Sequence, residues 1–162
     1  MPDVDVRCSA LVFCGSSVLL VRRTSPGDWS LPGGVPGPVE ALEECARREL
    51  AEETGLASSG GRAVLVLDAV NRSVARRMLD IVFLFPDVDE PTARTLAPCE
   101  QGLRPQLVDL HQLETIRFRP PIAHRIAALH RLRDSVPEII AEGFQPWDMA
   151  VDLGENPAPE HR

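Results

Sequence analysis

Apolar and β-branched side chains dominate residues 4–13, and after Gly15-Ser16-Ser17 a second apolar run, Val18-Leu19-Leu20-Val21, follows. Two such runs separated by a small polar break predict a β-hairpin. Ser25-Pro26-Gly27-Asp28 has turn composition, Trp29-Ser30-Leu31 is a short extended piece, and a loop dense in Gly and Pro runs over residues 32–38. Good helix formers fill residues 39–54 and Gly55 supplies a stop, so a helix is expected there. Strands are predicted at 63–70 and 78–85, with a further short one at 106–109. Ile122, Ile126, Leu129 and Leu132 stand at helical spacing and predict a second helix over 122–132. Strands, one central helix, more strands and a late helix make an α/β (α+β) sandwich and not a doubly wound repeat. The prolines between Pro86 and Pro105 mark a loop. One domain over 1–153 is expected, with 154–162 as a frayed tail.

The informative pattern lies on the central helix. With Ala41 at zero and about 100° per residue, Ala41, Leu42, Cys45, Ala46 and Leu50 fill an arc of roughly 0–180°. Glu40, Glu43, Glu44 and Arg47 fall on the complementary side, as a solvated face requires, and Glu44 is spaced to pair with Arg48 at i,i+4. Glu49, Glu52 and Glu53 land near 80°, 20° and 120°, inside the apolar arc. Like charges at i,i+3 and i,i+4 repel, and carboxylates in a last turn oppose the helix dipole. Such a set needs a compensating cation, and Arg48 is expected to neutralise one carboxylate but hardly three. Clustered hard oxygens suit Mg²⁺, or Mn²⁺, with further oxygens from a substrate phosphate. Just upstream, Gly33-Gly34 lets the backbone approach a ligand closely or offer a carbonyl oxygen.

Charge and cysteines narrow the class. The 162 residues carry a net charge of −7, with 24 acidic side chains against 17 basic ones that are all Arg. That balance argues against a nucleic-acid polymer or an anionic membrane as partner, yet leaves room for a small phosphate ligand gripped by guanidinium groups. Cys8, Cys14, Cys45 and Cys99 are widely spaced, with no C-x-x-C pair, so reduced thiols and a cytoplasmic location are expected. The first residues lack the basic-then-apolar order of a secretion signal, and no apolar stretch approaches a membrane span.

Taken in order, Gly34, five residues, Glu40, seven residues, Arg48-Glu49-Leu50, one residue, Glu52-Glu53, one residue and Gly55-Leu56 resemble the complete Nudix box, here residues 34–56. The chain is thereby identified as similar to the Nudix hydrolases (MutT-like), and Trp29-Ser30-Leu31-Pro32-Gly33 resembles the usual lead-in. The resemblance implies an α/β/α sandwich with a mixed central sheet, and hydrolysis of a nucleoside diphosphate derivative: a nucleoside triphosphate, sugar nucleotide or dinucleotide. It further implies Mg²⁺ held by Glu49, Glu52 and Glu53 with a carbonyl of Gly33 or Gly34. Arg48 would hold the carboxylates, Glu40 would stiffen the loop and helix through Arg48 or backbone groups, and Gly55 would be structural within the motif. Val39 stands where the family usually has Gly, and Gly37 where a loop Glu is often seen. Many members take a catalytic Glu from a distant loop, and Glu100 is the candidate here.

Outside the box, Arg22 or Arg23 is a candidate phosphate contact, with a surface charge as the alternative. Arg77, in the basic stretch Arg72 to Arg77, is a candidate substrate contact against a solvated hairpin. Trp29 is placed either to stack on a base or to pack structurally. His111, His124 and His130 have no metal-ligand spacing. Trp147, with Phe144 and Pro146, either covers the core or joins a homodimer interface. A Nudix-fold nucleotide-binding or sensor module is the rival reading, and the intact Glu49, Glu52 and Glu53 argue against it.

Overall fold

The computed structural model describes residues 4–24, 27–72, 74–97 and 102–135, together with the backbone of a strand at Ile140–Pro146. In chain order the elements are β1 (Val4–Leu11), β2 (Phe13–Cys14), β3 (Ser17–Arg23), β4 (Trp29–Ser30), β5 (Gly33–Gly34), α1 (Leu42–Thr54), β6 (Arg62–Asn71), β7 (Arg76–Leu84), α2 (Glu90–Ala93), β8 (Leu103–Asp109), a 3₁₀ turn at Leu110–Gln112, α3 (Ala123–Leu132) and β9 (Ile140–Pro146). They form a five-stranded sheet of order β5-β1-β7-β6-β9 and a four-stranded sheet in which β3 pairs with β2, β4 and β8.

The apolar run at 4–13 is therefore not one arm of a hairpin. β1 runs parallel to β7 in the first sheet, and only β2, beyond Val12, folds back on β3, with Phe13 opposite Val18 and Cys14 opposite Ser17. Local pattern cannot reveal a change of sheet within an unbroken apolar run, because both segments are buried on both sides.

Alternation along β1 divides its side chains between two cores. Cys8, Ala10 and Val12 face α1, where they meet Cys45, Ala46 and Leu50. Leu11 faces the other way, into a core between the two sheets that α3 closes with Ile126 and Leu129. The sheet containing β1 is mixed: β1 and β7 run parallel, whereas β5 against β1 and β6 against β7 run antiparallel.

Three other boundaries differ from the sequence pattern. α1 starts at Leu42 and not at 39, because residues 37–40 are held in a turn: the Glu40 amide donates to Gly37 O (3.2 Å) and the Gly37 amide to Glu40 Oε2 (2.9 Å). Its C-terminal stop is Gly55, in the left-handed region at φ 75. The segment between Pro86 and Pro105 contains α2, capped by Asp89, whose carboxylate accepts the Thr92 amide at 2.9 Å. β8 then begins at Leu103 and passes through Pro105, which lies opposite Val21. The proline is accommodated because β8 pairs on one side only among the described residues. Among them, no helix is long and apolar enough to cross a membrane. Residues 98–101, with Cys99 and the candidate Glu100, lie outside the described residues, as do Trp147, residues 154–162 and the side chains of Phe144 and Pro146.

Candidate metal and substrate site

β5 threads between β1 and α1, where a side chain would meet the β1 backbone at Gly33 and the Glu49 carboxylate at Gly34. A Cβ on Gly33 would stand 2.4 Å from Cys8 O and 2.8 Å from Ser9 Cα, and one on Gly34 would stand 2.2 Å from Glu49 Oε1. The missing side chains bring the loop backbone onto the carboxylates of α1. The Gly33 amide donates to Glu53 Oε2 at 2.9 Å, and the Cys45 thiol lies 3.7 Å from Gly34 O. Gly33 and Gly34 thus mark the point where loop and helix touch.

Arg48 organises the remaining carboxylates. Its Nε and Nη2 donate to Glu40 Oε1 (2.7 Å) and Oε2 (3.0 Å), while Nη1 donates to both Glu49 Oε1 (2.6 Å) and Glu52 Oε2 (3.0 Å). Of the three carboxylates in the predicted metal set, where it was expected to neutralise one, it meets two, Glu49 and Glu52, and it also holds Glu40. Glu53, the third member of that set, takes the Gly33 amide. The expected Glu44–Arg48 pair does not form. Glu44 accepts the Ala41 amide at 3.3 Å, and the arginine fork turns to Glu40, whose two oxygens match it better than any single-point contact. Glu43, assigned to the solvated face, pairs with Arg47 and accepts the Gly61 amide at 3.0 Å.

The electrostatic effect is clearest at Glu40. The Arg48 guanidinium first, and the Gly37 amide second, hold its carboxyl down at about 2. Glu40 and Glu49 in turn raise the Arg48 pKa, so its positive charge is fixed.

The buried arc of α1 is narrower than the helical wheel suggests. Glu53 is 7% exposed and the Glu49 side chain 13%, whereas the Glu52 side chain is 54% exposed and Leu42 41%. Glu52 therefore lies at the rim and not inside the apolar face. The three carboxylates occupy the last turns of α1, where no basic residue offsets the helix dipole.

Among the described residues no three acidic, His or Cys side chains are arranged so that together they could hold a metal ion. The donor set nevertheless fits a hard dication. It consists of carboxylate oxygens on adjoining turns beside a glycine backbone that a Cβ would obstruct, and hard oxygens are the donors Mg²⁺ and Mn²⁺ prefer.

A second feature lies at β4. Arg7, Arg23, Trp29, Met78, Arg119 and Pro120 line a cavity of about 120 Å³. Arg22 stacks its guanidinium 5.5 Å from the Trp29 ring centre. Asp28, 5% exposed, holds Arg117 and, at 2.9 Å, Arg119. The backbone closes the same corner: the Trp29 amide donates to Arg117 O and the Arg119 amide to Trp29 O, at 2.9 and 2.8 Å.

Of the candidate substrate residues, Arg23 and Trp29 line this cavity, Arg22 covers the indole, and Arg77 forms an ion pair with Asp68 at the β6–β7 ladder. Arg7, Asp28 and Arg119 were not legible: Asp28 has the look of a turn residue, and its arginine partners are far along the chain. His130 Nε2 donates to Gly15 O (2.8 Å) and the ring meets Phe13 edge-on, away from either feature.

Known proteins match this chain in sequence and in fold. The NUDIX domain model matches residues 5–129, and the chain belongs to that family. It is 30% identical over 127 residues, 76% of this chain and 37% of the relative, to "Nucleoside diphosphate-linked moiety X motif 6" of Mus musculus. It is 53% identical over 38 residues, 24% of this chain and 26% of the relative, to the "Putative 8-oxo-dGTP diphosphatase" of Bacillus subtilis. The matches thus span little more than a third and about a quarter of these two relatives' lengths. The fold is that of the NUDIX domain of Shewanella oneidensis NrtR, solved with ADP ribose, at TM-score 0.67 and 17% identity, covering 83% of this chain and 91% of that one.

Proposed function

We propose that this chain is a Mg²⁺-dependent Nudix hydrolase, able to use Mn²⁺, that cleaves the diphosphate linkage of a nucleotide-derived small molecule. The observation that carries the reading is the joint hold on the α1 carboxylates by the Gly33 amide and Arg48. The relatives' names, a diphosphatase and a nucleoside diphosphate-linked motif, support the substrate class, as does ADP ribose on the structural neighbour.

Glu49, Glu52 and Glu53, with a carbonyl of Gly33 or Gly34, are the residues to hold the ion. When bound it neutralises diphosphate oxygens and activates water for attack on phosphorus. Every other contribution comes from the chain. Arg48 restrains Glu49 and Glu52 side by side, so two like charges do not splay apart before substrate arrives. Glu40 fixes Arg48 from the other side with two hydrogen bonds. The Gly33 amide fixes Glu53 against the loop. A carboxylate of this set, or Glu100, takes the proton of the attacking water. Arg23 and Arg119, beside Trp29, face the substrate's far end with cationic donors and an aromatic face.

The test is incubation with nucleoside triphosphates, sugar nucleotides and dinucleotides, with and without Mg²⁺, following phosphate products. Release from at least one class only with Mg²⁺ supports the reading. No turnover of any compound contradicts it and favours a binding module.

A further inference from the structure

Asp80 is the polar group that the diphosphate chemistry leaves unused. It is 2% exposed on β7, on the face that also carries Met78 and Val82, and it lies opposite Arg7 in the β1–β7 register. Arg7 and Met78 are both walls of the cavity beside Trp29, so Asp80 is the next inward-facing position along the strand from that wall.

Its two oxygens are treated differently. Oδ2 accepts the Ser9 hydroxyl at 2.9 Å and lies 3.9 Å from Arg7 Nε. Oδ1 is buried with no hydrogen-bond partner among the described residues. A buried, unmatched carboxyl oxygen costs free energy, and a fold retains one most readily where a ligand completes it. Arg7 is tied down on the same side, its Nε to Ser9 Oγ and its Nη2 to Leu31 O, both at 3.2 Å. Burial raises the Asp80 carboxyl pKa, which lowers the cost of keeping it there before ligand arrives.

The position links this group to the carboxylate helix. Ser9, which holds Asp80, pairs with Gly33, whose amide holds Glu53. A nucleotide with its diphosphate at α1 and Gly33 would extend its base towards Trp29, Met78 and Asp80. The indole and thioether supply apolar walls, Arg7, Arg23 and Arg119 supply donors, and Oδ1, two residues beyond Met78 on β7, supplies a buried acceptor with no partner among the described residues.

We propose that Asp80 determines base specificity: its Oδ1 takes an N–H of the nucleobase at the inner end of the Trp29 cavity. This rests on the nucleotide reading of the site but not on catalysis. It is tested by calorimetric binding of AMP, GMP, CMP, UMP and base-free ribose 5-phosphate, all without divalent ions. Wild-type protein should bind one nucleotide at least about tenfold more tightly than ribose 5-phosphate and than the weakest base. Asp80→Asn, which keeps size and an acceptor for Ser9, should reduce that preference about tenfold and leave ribose 5-phosphate binding unchanged. Equal wild-type binding of all five ligands overturns the proposal without any variant, as does an unchanged base preference in Asp80→Asn. Because no metal is present, a hydrolase that fails to turn over and a pocket that fails to discriminate give separate results.

Discussion

Gly33 and Glu53 are joined by a 2.9 Å hydrogen bond from backbone amide to carboxylate, across 20 residues of chain. That bond explains why a carboxylate 7% exposed is tolerated among Cys45, Ala46 and Leu50: the amide compensates for part of the hydration it gives up.

The two glycines of the loop separate stability from activity. Gly33→Ala drives its Cβ to 2.4 Å from Cys8 O, a backbone atom that moves only with β1. It should lower the unfolding free energy by about 1–3 kcal/mol, measured by urea denaturation. Gly34→Ala meets instead the tip of Glu49, which can swing aside. It should lose less stability and more turnover, on the order of 10–100-fold. Equal effects of the two substitutions on both quantities would show that β5 is not wedged as described.

Arg48→Lys tests the fork. One ammonium group cannot bond both Glu40 oxygens while holding Glu49 and Glu52, so turnover should fall about 10–100-fold although the charge is kept. Steady-state kinetics at saturating Mg²⁺ measure it, and wild-type rates in Arg48→Lys would leave the guanidinium geometry without a role.

Glu40 predicts an acid dependence of stability. Its folded pKa, about 2, lies below the ordinary glutamate value of 4.5, so the stabilisation is complete above the unfolded value and disappears as pH falls through the folded one. Wild type should therefore exceed Glu40→Gln in urea stability near pH 6, and the difference should close between about pH 5 and pH 2. A difference constant across that window would mean that the Arg48–Glu40 pair is not coupled to folding.

The thiols beneath α1 should be inert in the native state. Burial pushes Cys8 up to about 12 and also raises Cys45, so little reactive thiolate exists near neutral pH. A thiol reagent should label these two only after denaturant is added. Rapid native labelling of either would show that α1 lifts away from β1.

The box was legible because its constraint is local. Glu49 and Glu53 fall on the buried side of one helix at fixed spacing, and periodicity alone places them there. Glu52, at about 20°, fell inside the arc because Ala41, which caps the helix from outside it, was counted as the arc's edge at zero, whereas burial begins with Cys45 at about 40°. Glu40, which the resemblance implies acts through Arg48 or backbone groups, uses both, and the turn at 37–40 that places it is what a helical pattern extended back to 39 conceals. The cavity beside Trp29 was largely illegible. Arg7, Met78 and Arg119 come from three distant segments, and no spacing along the chain reveals that β1 pairs with β7 or that Asp28 gathers Arg117 and Arg119.

The central claim is that the α1 carboxylates bind the ion that hydrolysis needs, and Glu53→Gln addresses it most directly. The amide side chain keeps an acceptor for the Gly33 N–H and removes the charge. Calorimetric Mg²⁺ titration, paired with turnover of whichever diphosphate substrate wild type cleaves, should show at least about tenfold weaker Mg²⁺ binding and a comparable or larger loss of rate. Unchanged Mg²⁺ affinity together with unchanged turnover would contradict the account.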